Sequence, residues 1–259
     1  MKKLFALILA GTMLLSMAAC GNKDDIGEEL EEEKEAVIII QGAAGEETFG
    51  YSITAGNTIE ITSYSGSYDL HPVVVPDTLE GRPVTSIGES AFYHANNITE
   101  IKLPATVTSI GDWAFAGCNY LTSVTGSDAV TTIGKGAFCQ NPVLKTVQIS
   151  STLTAIADYA FSGCYALENV TLPATLTTIG NAAFENCTAL TAISVPNSVK
   201  SIGLLAFDGC SALASATLTA GTTEIGNFAF NGCAKNLVIS CPAGSAAAAY
   251  ANEAGIATK

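Results

Sequence analysis

Residues 167–187 read LENVTLPATLTTIGNAAFENC, and this stretch carries the fold in miniature. Leu167-x-x-Val170-x-Leu172 has the alternation of a short strand, with Val170 and Leu172 on one side. Pro173 follows; it has no N–H to give, so it ends the strand's ladder. Leu176 to Ile179 is a second short extended piece that runs into Gly180. From Asn181 to Cys187 the spacing changes, and Ala183, Phe184 and Cys187 fall on one face of a short helical turn.

Working outward, the stretch recurs. Ile87, Ile110, Ile133, Ile156, Ile179, Ile202 and Ile225 are each 23 residues apart. Ala-Phe begins four places after each isoleucine, from Ala91-Phe92 to Ala229-Phe230. The residue after the isoleucine is glycine in six copies and Ala157 in the fourth. Seven copies without an insertion signal a solenoid, in which each unit buries its apolar face only against its neighbours. The phenylalanines are expected to stack as a spine, each burial worth on the order of 1.5–3 kcal/mol.

The string LxxIxLPxxLxxIGxxAFxxC resembles the BspA-like (Treponema-type) class of leucine-rich repeat, over residues from about 50 to 259. The resemblance implies an α+β repeat solenoid, a right-handed superhelix of 23-residue units, each a short strand or strands plus a short helical turn. Ile59 to Gly66, Val75-Pro76 and Gly81 to Ile87 look like the family's amino-terminal unit, placing a cap at 49–86 and repeats at 87–241. Pro242 to Ile256 looks like its closing cap (242–259), with an alanine-rich helix near 244–254. Such proteins sit on bacterial and some protist surfaces, and several are implicated in attachment to host matrix proteins or other cells. The resemblance therefore implies a host or envelope protein, or a glycan, as partner.

The amino-terminal residues carry an address. Lys2 and Lys3 precede an apolar run from Leu4 to Ala19, too short for a membrane span and closed by small residues, which reads as a secretory signal over 1–19. Met17-Ala18-Ala19-Cys20-Gly21 resembles a bacterial lipobox, with Met17 where leucine is more usual. That resemblance implies cleavage before Cys20, lipidation of its thiol and new amino terminus, and attachment to the outer side of a cell membrane by lipid alone. Its flanks resemble those of Gram-positive bacteria; an ordinary signal peptide with an incidental cysteine is the alternative. Residues 21–36 hold eight acids and two lysines, so 20–48 is expected to be a solvated tether, with a short surface helix as the other option.

Chemistry finds little foothold. A net charge of −13 argues against nucleic acid and against an anionic membrane surface. The two histidines, His71 and His94, have no nucleophile motif beside them, and Asp112 and Asp158 hold equivalent places two units apart rather than forming a carboxylate pair. No enzyme activity, cofactor or metal is expected. Cys118, Cys164, Cys187, Cys210 and Cys233 share one place in the repeat, three after the phenylalanine, which Ala95 and Asn141 fill elsewhere. With no C-x-x-C pair, zinc has little support. Buried free thiols are expected, since a helical layer spaces units by nearer 10 Å than the 5–6 Å a disulfide needs. Cys241 reads as core, and Cys139, off the ladder, as the most reachable thiol.

The candidate binding face is formed by the residues flanking the buried strand positions: Glu100, Lys102, Ser123, Thr125, Thr146, Gln148, Asn169, Thr171, Ser194, Ser215 and Thr217, with Ala192 among them. This hydroxyl-rich surface suits hydrogen bonding to a polypeptide or glycan; the competing explanation is that Thr simply favours strands. A second column, three after each isoleucine, is Ser90, Trp113, Gly136, Tyr159, Ala182, Leu205 and Phe228. Exposed, its aromatics would suit ligand contact; alternatively each large side chain packs over its small neighbour. The function expected is non-catalytic surface binding, adhesion above all, with envelope scaffolding or ligand capture as alternatives.

Overall fold

A computed structural model describes residues 36–41 and 46–259. The leader, Cys20 and the acidic run to residue 35 lie outside the described residues. Residues 36–48, assigned to the tether from sequence, instead include paired strands: Ala36–Gln41 lies antiparallel to Glu46–Ile53, which lies antiparallel to Ile59–Ser65.

From there the chain winds as a β-solenoid with two parallel ladders. In the isoleucine ladder, Ile61, Ile87, Ile110 and Ile133 stand in register, and so do Ile156, Ile179, Ile202 and Ile225. Ile61 is thus the ladder's first rung, although 26 residues rather than 23 separate it from Ile87. The second ladder, here the display ladder, runs through His71–Val74, Ile98–Lys102, Ser123–Thr125 and Thr146–Val147. It resumes with Ala192–Ser194, Ser215–Thr217, Val238–Ser240 and Ala257–Thr258.

The third side of each unit is a turn, not the helical turn expected. Two residues of every unit have left-handed backbone. The third place after the isoleucine has φ between 50° and 59° at Ser90, Trp113, Gly136, Tyr159, Ala182, Leu205 and Phe228. The seventh place has φ between 55° and 74° at His94, Gly117, Gln140, Gly163, Asn186, Gly209 and Gly232. A right-handed helix cannot contain such residues, so Asn181–Cys187 reverses twice instead of coiling. Among the described residues the one helix is Ala246–Ala254, near the place expected. Ser245 caps its first turn by accepting from Ala248 N, and Gly255, with φ 69°, ends it.

The turns place the core. Phe92, Phe115, Phe138, Phe161, Phe184, Phe207 and Phe230 stack with ring centroids 5.0–5.4 Å apart. Tyr64 extends the stack at one end, 5.0 Å from Phe92, and Tyr250 closes the other edge-on to Phe230. From Phe92 N–H to Ala114 C=O through Phe207 N–H to Ala229 C=O, all six turn-to-turn bonds are 2.7–2.8 Å.

Both strand ladders are interrupted at the fourth unit. The glycine after each isoleucine, from Gly88 to Gly226, donates to the isoleucine carbonyl one rung earlier, the exception being Ala157. A Cβ on Gly134, Gly180 or Gly203 would come within 2.5–2.6 Å of the preceding unit's backbone. Ala157 carries that Cβ, and Thr132–Ile133 and Ala155–Ile156 lie in separate sheets. On the display side, residues 168–172, within the stretch that displays the strand pattern best, take no strand pairing at all.

Candidate functional site

The strand residues nominated from sequence come together as exposed positions on the display ladder. Glu100 stands beside Ser123 and Lys102 beside Thr125, and Ser123 in turn beside Thr146. Farther along, Ala192 pairs with Ser215 and Ser194 with Thr217. All are exposed but Ser123, which is half-buried, while the intervening Ile101, Val124, Ile193 and Ala216 are buried. Period-two alternation on a solvated face produces this split. Asn169 and Thr171 are exposed but lie in the unpaired unit, so the face is two patches rather than one strip.

The hydroxyls of this face are chemically unspent. Those of Ser123, Thr146, Thr171, Ser194, Ser215 and Thr217 make no intramolecular hydrogen bond among the described residues, and that of Thr125 reaches Ile101 O only at 3.5 Å. Gln148 differs, since its side-chain amide donates to Asp128 Oδ1. Sequence reading missed a second hydroxyl row, two places before the isoleucines, and four of its threonines are engaged with backbone carbonyls. Thr108, Thr131, Thr177 and Thr223 each donate to the carbonyl of the matching residue one unit back, at 2.9–3.3 Å. Its signal was a threonine two places before most of the isoleucines.

The aromatic column is a packing device over part of its length. A Cβ on Gly136 would fall 2.3 Å from Trp113 Cζ3, so the indole lies across that glycine. Ala182 is buried between Tyr159 and Leu205 in the column. Phe228 is 62% exposed at the open end, and Lys135 Nζ sits 5.7 Å from the Tyr159 ring centre. The seventh-place column packs likewise, with His94, Gln140 and Asn186 each lying where the next unit has Gly117, Gly163 or Gly209.

The cysteines are core donors. Cys118, Cys164, Cys187, Cys210 and Cys233 each point Sγ at a phenylalanine carbonyl one unit back, 3.1–3.3 Å away. Asn141 does this at its own place, donating from Nδ2 to Phe115 O and Phe138 O while its buried Oδ1 finds no partner. All seven described cysteines are unpaired. The spacing argument for that was mistaken, because no helical layer exists and the units lie about as close as their 5.0–5.4 Å ring spacing. Burial pushes the Cys118 and Cys233 thiols up to about 12, which keeps them protonated donors and poor nucleophiles. Cys139, expected to be reachable, is buried at 8% exposure, and Cys241 is only half-buried against the core.

Asp112, Asp158 and His71 serve structure. Asp112 Oδ1 and Asp158 Oδ1 accept from the backbone N–H of Lys135 and Asn181, at 2.7 and 2.6 Å. His71 donates from Nδ1 to Asp69 O, and its Nε2 lies 3.1 Å from Tyr64 Oη and 3.4 Å from Glu47 Oε1, a buried link between the first strands and the display ladder. Burial raises the Glu47 carboxyl above its ordinary value despite the histidine. Among the described residues no cluster of side chains could hold a metal ion, and no helix is long and apolar enough to cross a membrane.

Comparison with known proteins agrees with this geometry. The sequence profile of the BspA type leucine-rich-repeat region matches in six copies, over residues 57–191 and 131–247. A leucine-rich cell surface protein of Faecalibacterium prausnitzii is 30% identical over 78% of this chain, with a TM-score of 0.63; the chain spans 54% of that protein's length. The T. pallidum leucine-rich-repeat protein is 28% identical over 74% of this chain and 82% of its own, with a TM-score of 0.46. No curated protein sequence matches. The seven-fold Ile-x-x-x-Ala-Phe period, the stacked phenylalanine spine and the profile match have one conclusion: the chain belongs to the BspA-type leucine-rich-repeat family.

Proposed function

We propose that the protein is a non-catalytic binding protein of a cell surface, and that it takes a host protein or glycan on the display ladder. The observation that carries this is the row of hydroxyls on the display ladder that have no intramolecular partner among the described residues. Ser123, Thr146, Thr171, Ser194, Ser215 and Thr217 are free to bond an outside donor or acceptor, and all but the half-buried Ser123 are exposed. Glu100 and Lys102 supply the charges at one end of the face and set its orientation toward a partner. Attachment through lipid on Cys20, with the acidic segment as spacer, puts the face outside the cell; the surface description of the Faecalibacterium relative agrees with that placement. Adhesion to host matrix is the leading role and envelope scaffolding the alternative.

The test is a binding screen against immobilised matrix proteins and a glycan array, with a Thr146→Glu, Ser215→Glu variant alongside. Both positions are exposed, so the variant should melt within about 0.5 kcal/mol of the parent. A saturable ligand lost in the variant supports the face as the site. Binding that survives in the variant rules the face out, and silence on every surface leaves scaffolding as the better account.

A further inference from the structure

The last turn of the solenoid is an open edge. In each of the first six units the N–H groups at the third, fifth and seventh places after the isoleucine point along the axis at the next unit. Leu205, Phe207 and Gly209 show it: they donate to Asn227, Ala229 and Asn231 carbonyls at 3.2, 2.8 and 2.9 Å. In the seventh unit the same donors are Phe228, Phe230 and Gly232, and among the described residues no further turn of this kind stacks on them. The terminal helix Ala246–Ala254 and the strand Ala257–Thr258 cover the ends of the two ladders instead. Phe230 N–H is met by Tyr250 Oη at 3.1 Å, a side-chain oxygen in the place of the missing carbonyl. Phe228 N–H and Gly232 N–H have no partner among the described residues. Both residues are exposed, and between them and the helix runs a groove of about 1010 Å³, lined by Phe228, Lys235, Ala249, Tyr250 and Glu253.

We propose that this edge binds a segment of another polypeptide in the same doubly reversed turn, with a small residue at its centre, which continues the solenoid by one turn. The occupant is specified by six precedents in the same molecule. At each internal copy the three donors are filled by a backbone whose alternate carbonyls accept them, and the middle carbonyl belongs to alanine every time. An incoming turn with a small residue at its centre would accept from Phe228 and Gly232, lay its flanking side chain against the exposed Phe228 ring, and satisfy two donors that have no partner among the described residues. The site is distinct from the display ladder and does not rest on what that face binds.

The probe is the synthetic peptide IGNFAFNG, a copy of residues 225–232, added to the isotope-labelled full chain. Saturable shifts confined to amides around Phe228 and Gly232, with slower hydrogen exchange at both, are the expected result. Ala249→Arg, at an exposed helix position lining the groove, should abolish the shifts and leave the amide signal of Phe184 and the melting temperature unchanged. The Thr146→Glu, Ser215→Glu variant should bind the peptide as the parent does, which separates this site from the display face. Absence of shifts at any soluble peptide concentration, shifts that persist in Ala249→Arg, or protection of both amides by self-association without peptide would each overturn the proposal.

Discussion

The turn side and the strand sides of this solenoid are built on one period, yet only the turn side runs unbroken. Phe138 and Phe161 stack at 5.4 Å across the fourth unit, as their neighbours do, and Phe138 N–H still reaches Ala160 O at 2.8 Å. At that same unit the isoleucine ladder parts and the display ladder loses its strand. The difference lies in what each side depends on. The turn side is fixed by a large ring buried in every copy, a contact that tolerates small adjustments without losing area. The isoleucine ladder requires backbone to approach backbone with no side chain between, and the break falls at the one copy that carries a methyl group there, Ala157.

The comparison can be broken most severely on the turn side. Phe184→Ala removes a fully buried ring stacked on both sides, and should cost about 3–5 kcal/mol in chemical denaturation. A loss under about 1 kcal/mol would mean the spine is not what holds the units together. Next comes Gly203→Ala, whose new Cβ would sit 2.5 Å from Gly180 C. It should cost about 1–3 kcal/mol and strip the Gly203 amide of exchange protection, copying at the sixth unit what Ala157 does at the fourth. Retained protection there would show that Ala157 does not cause the break. Smallest is Asn141→Cys, which replaces a buried amide with an orphaned Oδ1 by the thiol used in five other units. A gain of about 1 kcal/mol in thermal or chemical denaturation is expected, and a loss would contradict the assignment of the thiols as core donors.

How much of this was legible in the sequence follows the same division. Isoleucine, alanine-phenylalanine and cysteine repeat visibly because burial admits few residue types. The alternation at Val170 and Leu172 is equally visible, but pairing is a property of two neighbouring units, so the unpaired state of 168–172 could not be read from that unit alone. The left-handed turn positions were hidden at the third place, where Trp113, Tyr159, Leu205 and Phe228 give no hint of φ near 57°. At the seventh place Gly117, Gly163, Asn186, Gly209 and Gly232 did carry the signal, and the Ala183–Phe184–Cys187 spacing was read as helix over it. The first strands were missed because the acidic run was extended through 36–48. The candidate face was legible as positions; which hydroxyls are free depends on partners one unit away.

Native-state hydrogen exchange, read residue by residue, tests the central contrast most directly. The account predicts strong protection at the amides of Phe92, Phe115, Phe138, Phe161, Phe184 and Phe207, without a dip at the fourth unit. Fast exchange is expected at Ala157 and across 168–172, between protected amides at Gly134 and Gly180. Uniform protection of the strand amides through the fourth unit, or a loss of protection at Phe138 matching that at Ala157, would contradict it.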